Sequence, residues 1–536
     1  MMAPLSGPPE RGEPSLSGEG VATAGGRGGA EAPRGRARTF LRRAAYVLVG
    51  LPALWQIALL VRICASRLCY PMDIEWNESG FLYQAYRVIN GLPIYGPPSQ
   101  GFLPYPYPPG YTLILALAGR LFGLDYSTGR AVSLLFFVVG SAVLAREVWV
   151  HHSARRGAPL WALLSLGTIA ASFPVTGGWY DLVRNDTMTM ALVVIAAALV
   201  GAERPTRVRT GLAAAALVAA VFTRQPAAFF AVWICAFALW RSRRLGLMLT
   251  LCTGAGCVAL LAALILTTHG WAWTYILGIY ARHTLRLGYL WMGVGIAARF
   301  APFVLLIPLL VRVLALGRQL SPRAVLWSGM IACALPASLL PFAKIHGWRN
   351  DLLPVVFLLG PVSIILLSDL LASLEARGRS SPAFRWLLLI GLSLFLVKRN
   401  YVPSEYIVTP QRREQAEVAN RFIAKLQGGV LVPNQPFLAV RNGQTTPQIH
   451  TQAYADAFLS FVPGLDFFGY VRRANARWAV LSNKQLPPVR EWILEDYEVV
   501  GRLPVQVTTM TGFPCGPLVL ARRRTGPMKS ARTVPE

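Results

Sequence analysis

Long apolar segments, separated by short polar ones, follow one another from residue 44 to residue 398. A stretch of about 18 or more apolar residues can cross a membrane as a helix. The pattern therefore predicts an all-α polytopic membrane domain with about eleven transmembrane helices. The predicted spans are residues 44–65, 127–149, 159–176, 187–201, 209–223, 226–240, 245–267, 293–314, 324–342, 351–371 and 384–398.

Basic residues are concentrated in every second loop of this pattern. These loops are residues 34–43, 146–156, 203–209, 241–244, 312–323 and 375–385. Loops rich in Lys and Arg stay on the cytoplasmic side of a membrane. The sequence therefore predicts a multi-pass protein of the cell (plasma) membrane whose N-terminus is cytoplasmic. An odd number of spans then leaves the C-terminal region extracytoplasmic.

One apolar stretch is shorter than the others. Residues 104–123 begin with PYPYPPGY and have an apolar centre of about ten residues, too few for the ~30 Å hydrocarbon core. Proline at the start suits a helix N-terminus, and the tyrosines suit the membrane interface. We therefore expect an interfacial or re-entrant helix in the first outside loop, residues 66–126. A twelfth span is the alternative.

The hydrophobicity falls after residue 400, where helical and strand-like segments alternate. Residues 411–426 carry apolar positions at a helical period. Short strands are predicted at Val430–Val432, Trp478–Leu481, Glu498–Val500 and Leu518–Ala521. The alternation predicts a small C-terminal extracytoplasmic α/β domain. The predicted regions are a disordered tail at 1–40, the transmembrane domain at 41–400, the α/β domain at 401–524 and a disordered tail at 525–536.

The composition agrees with a membrane protein. The chain is 54% hydrophobic and 14% charged, against about 25% charged residues in soluble domains. Cytoplasmic loops and contacts with anionic membrane lipid account for the net charge of +27. The sequence lacks a basic stripe interleaved with aromatic residues, and it therefore does not predict a nucleic acid partner. Cys69 and Cys515 are the cysteines in predicted outside regions, and a disulfide between them is one interpretation.

Three carboxylates follow the first span within six residues: Asp73, Glu75 and Glu78. Their mutual repulsion raises at least one pKa. A carboxylate of this kind can serve as a general base towards an acceptor hydroxyl. The alternative is a solvated loop in which Glu78 is the acidic residue at the start of a helix over 79–90.

A second acidic segment, residues 179–186, lies at the outside junction of the third and fourth spans. Asp181, Arg184 and Asp186 suit sugar binding or acid–base chemistry. Alternatively, Asp186 is a helix N-cap, and Asp181 simply pairs with Arg184.

Some basic residues lie in predicted outside turns and are therefore exceptions to the concentration of Lys and Arg in cytoplasmic loops. They are Arg224, Arg282, His283, Arg286, Lys344, His346 and Arg349. Arg and Lys bind phosphate, so an anionic lipid headgroup is the natural partner, with snorkelling to the interface as the alternative. Aromatic residues at these junctions would stack on sugar rings or form an aromatic belt. They are Trp76, Tyr105, Tyr107, Trp179, Tyr180 and Trp348.

The ordered set of segments resembles the GT-C superfamily of integral membrane glycosyltransferases, in particular the bacterial branch akin to protein O-mannosyltransferases and the lipid A aminoarabinose transferase. The resemblance rests on three segments, Asp73-Ile74-Glu75, Tyr107–Tyr111 and Asp181–Asp186. The segment Lys344–Asp351, before a late span, has a similar character. The resemblance covers residues 44–400.

The resemblance implies inverting transfer of a sugar from a polyprenyl-phosphate donor to a hydroxyl of a glycan, lipid or protein acceptor on the outer face. It implies that Asp73 is the catalytic base and that Glu75 supports it or binds a divalent metal. Asp181 or Asp186 would be the second acid. Arg224, Lys344 and Arg349 would stabilise the leaving lipid phosphate.

Other functions stay open on the sequence alone. A transporter or flippase for a lipid-linked substrate is one, although no inverted repeat or broken helix is evident. A membrane polysaccharide ligase and a non-enzymatic scaffold are the others.

Overall fold

The computed structural model describes residues 33–98, 102–152, 157–300, 321–375, 381–482, 489–505, 507–512, 514–516 and 518–524. The predicted tails at 1–32 and 525–536 lie outside these residues, whereas 33–40 already belong to a helix. By its contacts the chain divides into Met1–Leu48 and Val49–Glu536, and the site described below lies wholly in the second unit.

Helices occupy most of the chain up to residue 398. They are Pro33–Leu68, Glu78–Ile89, Gly110–Phe122, Tyr126–His152, Ala158–Ala171, Asp186–Val200, Arg207–Val221, Ala227–Arg241, Arg243–Thr267, Leu287–Phe300, Pro322–Ala343, Leu353–Glu375 and Pro382–Lys398. A less regular segment consists of the helix Trp271–Trp273, a π-helical turn at Thr274–Gly278 and the helix Ile279–Arg282. Each predicted span therefore has a helix, although the part of 293–314 after residue 300 lies outside the described residues.

Among the described residues, five helices are long and apolar enough to cross a membrane: Phe40–Leu68, Tyr126–His152, Arg243–Thr267, Pro322–Ala343 and Arg349–Glu375. The chain is thus a polytopic membrane protein. Helices such as Ala158–Ala171 have 14 or 15 residues, or about 21 Å at 1.5 Å per residue. The total of eleven spans stays a prediction. So does the re-entrant placement of the helix Gly110–Phe122.

The helix Leu353–Glu375 lies at the centre of the bundle, because 83% of its most apolar window is buried, against 11% for Arg243–Thr267. Small residues allow its close packing. A Cβ at Gly360 would stand 2.0 Å from Thr168 Oγ1. Small residues at such crossings are the usual means of close helix packing in membranes.

The C-terminal part forms a four-stranded sheet at the predicted places. Its strands are β1 Val430–Leu431, β2 Trp478–Ser482, β3 Tyr497–Arg502 and β4 Leu518–Arg523. Their order is β1-β2-β4-β3, with β1 parallel to β2 and β4 antiparallel to both neighbours. The surrounding helices are Pro410–Ala424, Pro436–Arg441, Thr451–Leu459, Phe467–Ala474 and Val489–Asp496.

This sheet region packs directly on the first loop. The backbone N–H groups of Met510 and Thr511 both donate to Ile74 O, at 2.8 and 3.2 Å. Thr511 Oγ1 accepts from Trp179 Nε1 at 3.0 Å. Gly512, at φ +76°, lies against Glu75, where a Cβ would stand 2.9 Å from Glu75 Cγ. We call Met510–Gly512 the C-terminal strap, because it joins both acidic segments.

Candidate active site

A cavity of about 570 Å³ lies where the first loop, several helix ends and the C-terminal part meet. Its aromatic lining residues include Trp76, Tyr105, Tyr107, Trp179 and Trp348, and its lysine and arginine residues are Arg184, Arg286, Lys344 and Arg349. The carboxylates in its lining are Asp351 and Asp456. Aromatic faces beside cations suit a ligand that combines a sugar ring with an anionic group. Tyr180 is elsewhere, stacked on Phe137.

Arg130 and Glu78 fix the first loop. The Arg130 guanidinium, from the helix Tyr126–His152, donates to Glu78 Oε1 at 2.9 Å and to Oε2 at 2.8 Å. It also donates to the carbonyls of Arg67, Tyr70 and Met72. Burial alone would raise the pKa of Glu78, but Arg130 outweighs it and holds that pKa below its usual range. Glu78 is indeed the first residue of a helix, yet its main contact is this clamp.

Asp73 is enclosed beneath the cavity. Its Oδ1 accepts from Ser79 N at 2.6 Å, and its Oδ2 accepts from Ser79 Oγ at 2.6 Å and Tyr126 Oη at 3.0 Å. Burial, reinforced by the charge of Glu78, raises the pKa of Asp73 to about 8. Asp73 does not belong to the cavity lining. Both oxygens of the predicted base are therefore committed to hydrogen bonds within the protein.

Glu75 does not line the cavity either, but it adjoins residues that do. Its neighbours Trp76 and Asn77 line the cavity, as does its ion-pair partner Arg184, whose Nη1 is 3.5 Å from Glu75 Oε2. The other oxygen, Oε1, is buried without a hydrogen-bond partner among the described residues. Burial raises the pKa of Glu75 to about 8, although Arg184 opposes the shift. A carboxylate with a raised pKa and an uncommitted oxygen is suited to accept a proton.

Buried charges of alternating sign continue from Glu75 along the wall. Arg184 Nε is 3.4 Å from Asp186 Oδ2. Arg224 bridges Asp186 and Asp351, forming an ion pair with each. Each charge has an opposite neighbour, which offsets the cost of removing it from water. The network holds Arg184 at the cavity.

Two expectations for residues 179–186 are wrong. Asp181 does not pair with Arg184. It faces Arg67, whose Nη1 is 3.2 Å away, and both side chains are buried outside the cavity lining. Asp186 is not the N-cap, because Asn185 holds that position and Asp186 is the first helical residue. Arg184 instead points towards Glu75, since that contact closes the charge network.

The predicted basic residues separate into two groups. Arg286, Lys344 and Arg349 line the cavity and form no ion pair within the described part of the chain. Lys344 Nζ donates to Tyr280 O at 2.6 Å. Arg224, expected to bind phosphate, is instead committed to two carboxylates and lies outside the lining.

Sequence reasoning missed Asp351, Asp456 and Gln452 as lining residues. Asp351 was within a segment singled out for its bases, and its carboxylate also accepts from Trp348 N at 2.9 Å. Gln452 and Asp456 lie on the helix Thr451–Leu459, in a region with no sequence pattern that points to a ligand. Their place in the wall depends on how the C-terminal part docks.

The described residues do not fit a metal centre. Among them, no three His, Cys, Asp or Glu side chains are arranged to hold an ion. Glu75, the predicted ligand, is paired with the Arg184 cation. The expected disulfide is also wrong: the Cys69 thiol is free and exposed, and the Cys515 thiol is free and buried beside Asn434.

The raised pKa values predict a pH-dependent stability. A carboxyl has a pKa of about 4 when unfolded, against about 8 for Asp73 and Glu75 here. The folded state thus binds more protons, so this stabilisation is complete below about pH 4 and is lost as the pH rises through about 8. We expect Glu75→Gln to gain thermal stability relative to wild type in detergent between about pH 5 and 8.

The matched control for this measurement is Glu417→Gln, at an exposed position of the helix Pro410–Ala424. If the difference in Tm between wild type and Glu75→Gln is the same at every pH, the raised pKa of Glu75 is contradicted.

Comparison with solved structures identifies the fold. The chain aligns with ArnT from Cupriavidus metallidurans bound to undecaprenyl phosphate at TM-score 0.54 and 14% identity, covering 88% of this chain and 99% of that one. The apo state of that protein aligns at TM-score 0.53 and 15% identity, covering 87% and 97%. The Archaeoglobus fulgidus oligosaccharyltransferase also matches, at TM-score 0.44 and 12% identity, over 80% and 69%.

No family model matches the sequence, and no curated protein matches it either. The two matches to ArnT show that this chain shares the fold of that protein, which agrees, at the level of the fold, with the resemblance given from the sequence.

Proposed function

We propose that this chain is an inverting membrane glycosyltransferase that moves a sugar from a polyprenyl-phosphate donor to a hydroxyl of a glycan, lipid or protein acceptor on the outer face. One observation carries the proposal. The cavity carries three basic side chains without ion-pair partners among the described residues, and its lining residue Arg184 is paired with a buried carboxylate, Glu75, that adjoins the lining.

The donor is inferred from charge. Arg286, Lys344 and Arg349 give the cavity an excess of positive charge, and Arg and Lys are the side chains that bind phosphate. A lipid phosphate supplies that anion. The ArnT structure bound to undecaprenyl phosphate, which shares this fold, supports the choice.

The chemistry needs one base and a site for the leaving charge. The acceptor oxygen forms a bond to the anomeric carbon while its proton passes to Glu75, and the bond from that carbon to the phosphate oxygen breaks. The electron pair leaves with the lipid phosphate, where Lys344 and Arg349 stabilise it. We assign the base to Glu75 rather than Asp73, because both oxygens of Asp73 already accept hydrogen bonds from the protein.

The test uses detergent-purified protein, a labelled sugar on undecaprenyl phosphate and a panel of hydroxyl acceptors. We expect label transfer and release of undecaprenyl phosphate without ATP or an ion gradient. Solute uptake by proteoliposomes without any turnover of the donor would contradict the proposal and favour a transporter.

Arg349→Ala is expected to raise the KM for the donor by about 10- to 100-fold, because a charged hydrogen bond contributes about 1.5–3 kcal/mol. Arg349 is exposed and forms no ion pair among the described residues, so the fold should survive. The readout is donor-dependent initial rate. Arg421→Ala, on an exposed helix position of the C-terminal part, is the control, and equal donor KM in both variants would exclude Arg349 from the donor site.

A further inference from the structure

One wall of the cavity is polar and comes from two distant parts of the chain. The helix Thr451–Leu459 contributes Gln452 and Asp456, and the turn after the helix Pro322–Ala343 contributes His346. Asp456 Oδ1 accepts from His346 Nδ1 at 2.7 Å and from Gln452 Nε2 at 2.8 Å. Both of these bonds end on a single carboxylate oxygen, and Gln452 Nε2 also lies 2.9 Å from His346 Nδ1, so the three side chains are fixed relative to one another.

These bonds leave several acceptors unused. Gln452 Oε1 is buried without a partner among the described residues, and Gln452 as a whole is only 5% exposed. With its Nδ1 proton directed at Asp456, a neutral His346 ring presents Nε2 as an acceptor. Asp456 Oδ2 accepts no hydrogen bond from any residue that the structure describes. A ligand matching this wall must supply hydrogen-bond donors, since a buried acceptor left unpaired costs about 1–3 kcal/mol.

The backbone around the wall is held in uncommon conformations. His346 has a φ of +65°, which is rare outside glycine and persists where the surroundings enforce it. A nearby buried imidazole, His283, follows the π-helical turn Thr274–Gly278, and its Nε2 is 3.8 Å from Asp456 Oδ1. Strained residues and π-turns are concentrated at functional sites.

We propose that Gln452, Asp456 and His346 form a subsite that binds hydroxyl groups of the sugar being transferred, an inference that rests on the proposed function. The position favours the donor sugar over the acceptor. His346 follows Lys344 by two residues and precedes Arg349 by three, so the hydroxyl acceptors lie beside the cations assigned to the lipid phosphate. The sugar is joined directly to that phosphate.

The subsite also restricts the sugar. Three acceptors, one of them the Asp456 carboxylate, favour a sugar rich in hydrogen-bond donors, such as the hydroxyl groups of a neutral sugar. They disfavour a uronic acid, whose carboxylate would face Asp456 and leave polar atoms unpaired. Gln452 and Asp456 of the C-terminal part therefore take part in selecting the donor, whereas the first loop supplies the base.

Binding to detergent-purified protein tests this with two kinds of probe. The first is undecaprenyl phosphate without a sugar. The second is the same lipid phosphate carrying glucose, mannose, arabinose or glucuronate. In wild type we expect at least one neutral sugar lipid to bind more tightly than the sugarless lipid, and glucuronate to bind more weakly than the neutral sugars. Asp456→Asn should weaken the preferred sugar lipid by about 10-fold or more and leave the sugarless lipid unchanged.

Gln452→Leu removes the buried uncommitted oxygen and should likewise weaken binding of the sugar lipid but not of the sugarless lipid. It replaces Asp456→Asn in the experiment if that variant does not fold. Glu417→Gln, exposed on the helix Pro410–Ala424, is the matched control. Equal weakening of sugarless and sugar-carrying lipids, or no weakening in either variant, would overturn the inference. Failure of wild type to bind any of these lipids would instead reject the proposed function.

Discussion

Replacement of Glu75 by Gln is expected to lower the turnover number for sugar transfer by about 100- to 10,000-fold, the range that a positioned general base contributes. The substitution preserves the size of the side chain and its contact with the C-terminal strap. It removes the proton acceptor whose Oε1 is uncommitted in the structure. The measurement is kcat at saturating donor, with thermal stability in detergent to show that the variant is folded.

Asp73→Asn is the comparison that locates the base. Because both oxygens of Asp73 already accept from Ser79 and Tyr126, we expect a much smaller change in kcat than for Glu75→Gln. The opposite ranking, with an inactive Asp73 variant and an active Glu75 variant, would return the base to the residue that the sequence resemblance implies.

Arg130→Met is expected to destabilise the fold by about 3–5 kcal/mol, the usual cost of breaking a buried ion pair by removal of one partner. The loss leaves Glu78 charged and buried without its partner. It also removes the donor to three backbone carbonyls of the first loop. We expect a large decrease in Tm and in the yield of monodisperse protein after detergent extraction.

The double variant Glu78→Met/Arg130→Met separates the ion pair from the other contacts. A buried pair replaced by apolar residues of similar volume is often tolerated, so part of the lost Tm should return. Coupling of this kind is what a double-mutant cycle measures. A single Arg130 variant as stable as wild type would show that the clamp does not hold the loop.

The fold was predictable where local pattern determines structure. Apolar stretches of helical length predicted the helices, and short strand-like segments predicted the four strands that the structure describes within a few residues. Such patterns follow from periodicity and from the need to satisfy backbone hydrogen bonds within a membrane. The number of spans is harder to predict from the sequence, because helices such as Asp186–Val200 are apolar but short.

The site was predictable in its residue types but not in its pairings. Glu75 and Arg184 were both singled out, yet nothing local indicates that they pair with each other. Asp181 had a plausible partner three residues away, but the structure pairs it with Arg67. Pairing between such distant residues is decided by tertiary packing. The positions of Gln452 and Asp456 were unpredictable for the same reason, because only docking of the C-terminal part brings them to the cavity.

The C-terminal strap has a consequence for biosynthesis. Residues 73–78 emerge from the ribosome early, whereas Met510–Gly512, which bond to Ile74 and lie against Glu75, emerge after every apolar helix has been made. During insertion into the membrane, the acidic loop is therefore not yet covered by the C-terminal strap. A chain released at Lys398 would hold the whole bundle and yet leave Glu75 open to water, so its environment is completed only when the sheet region has been synthesised and has folded back.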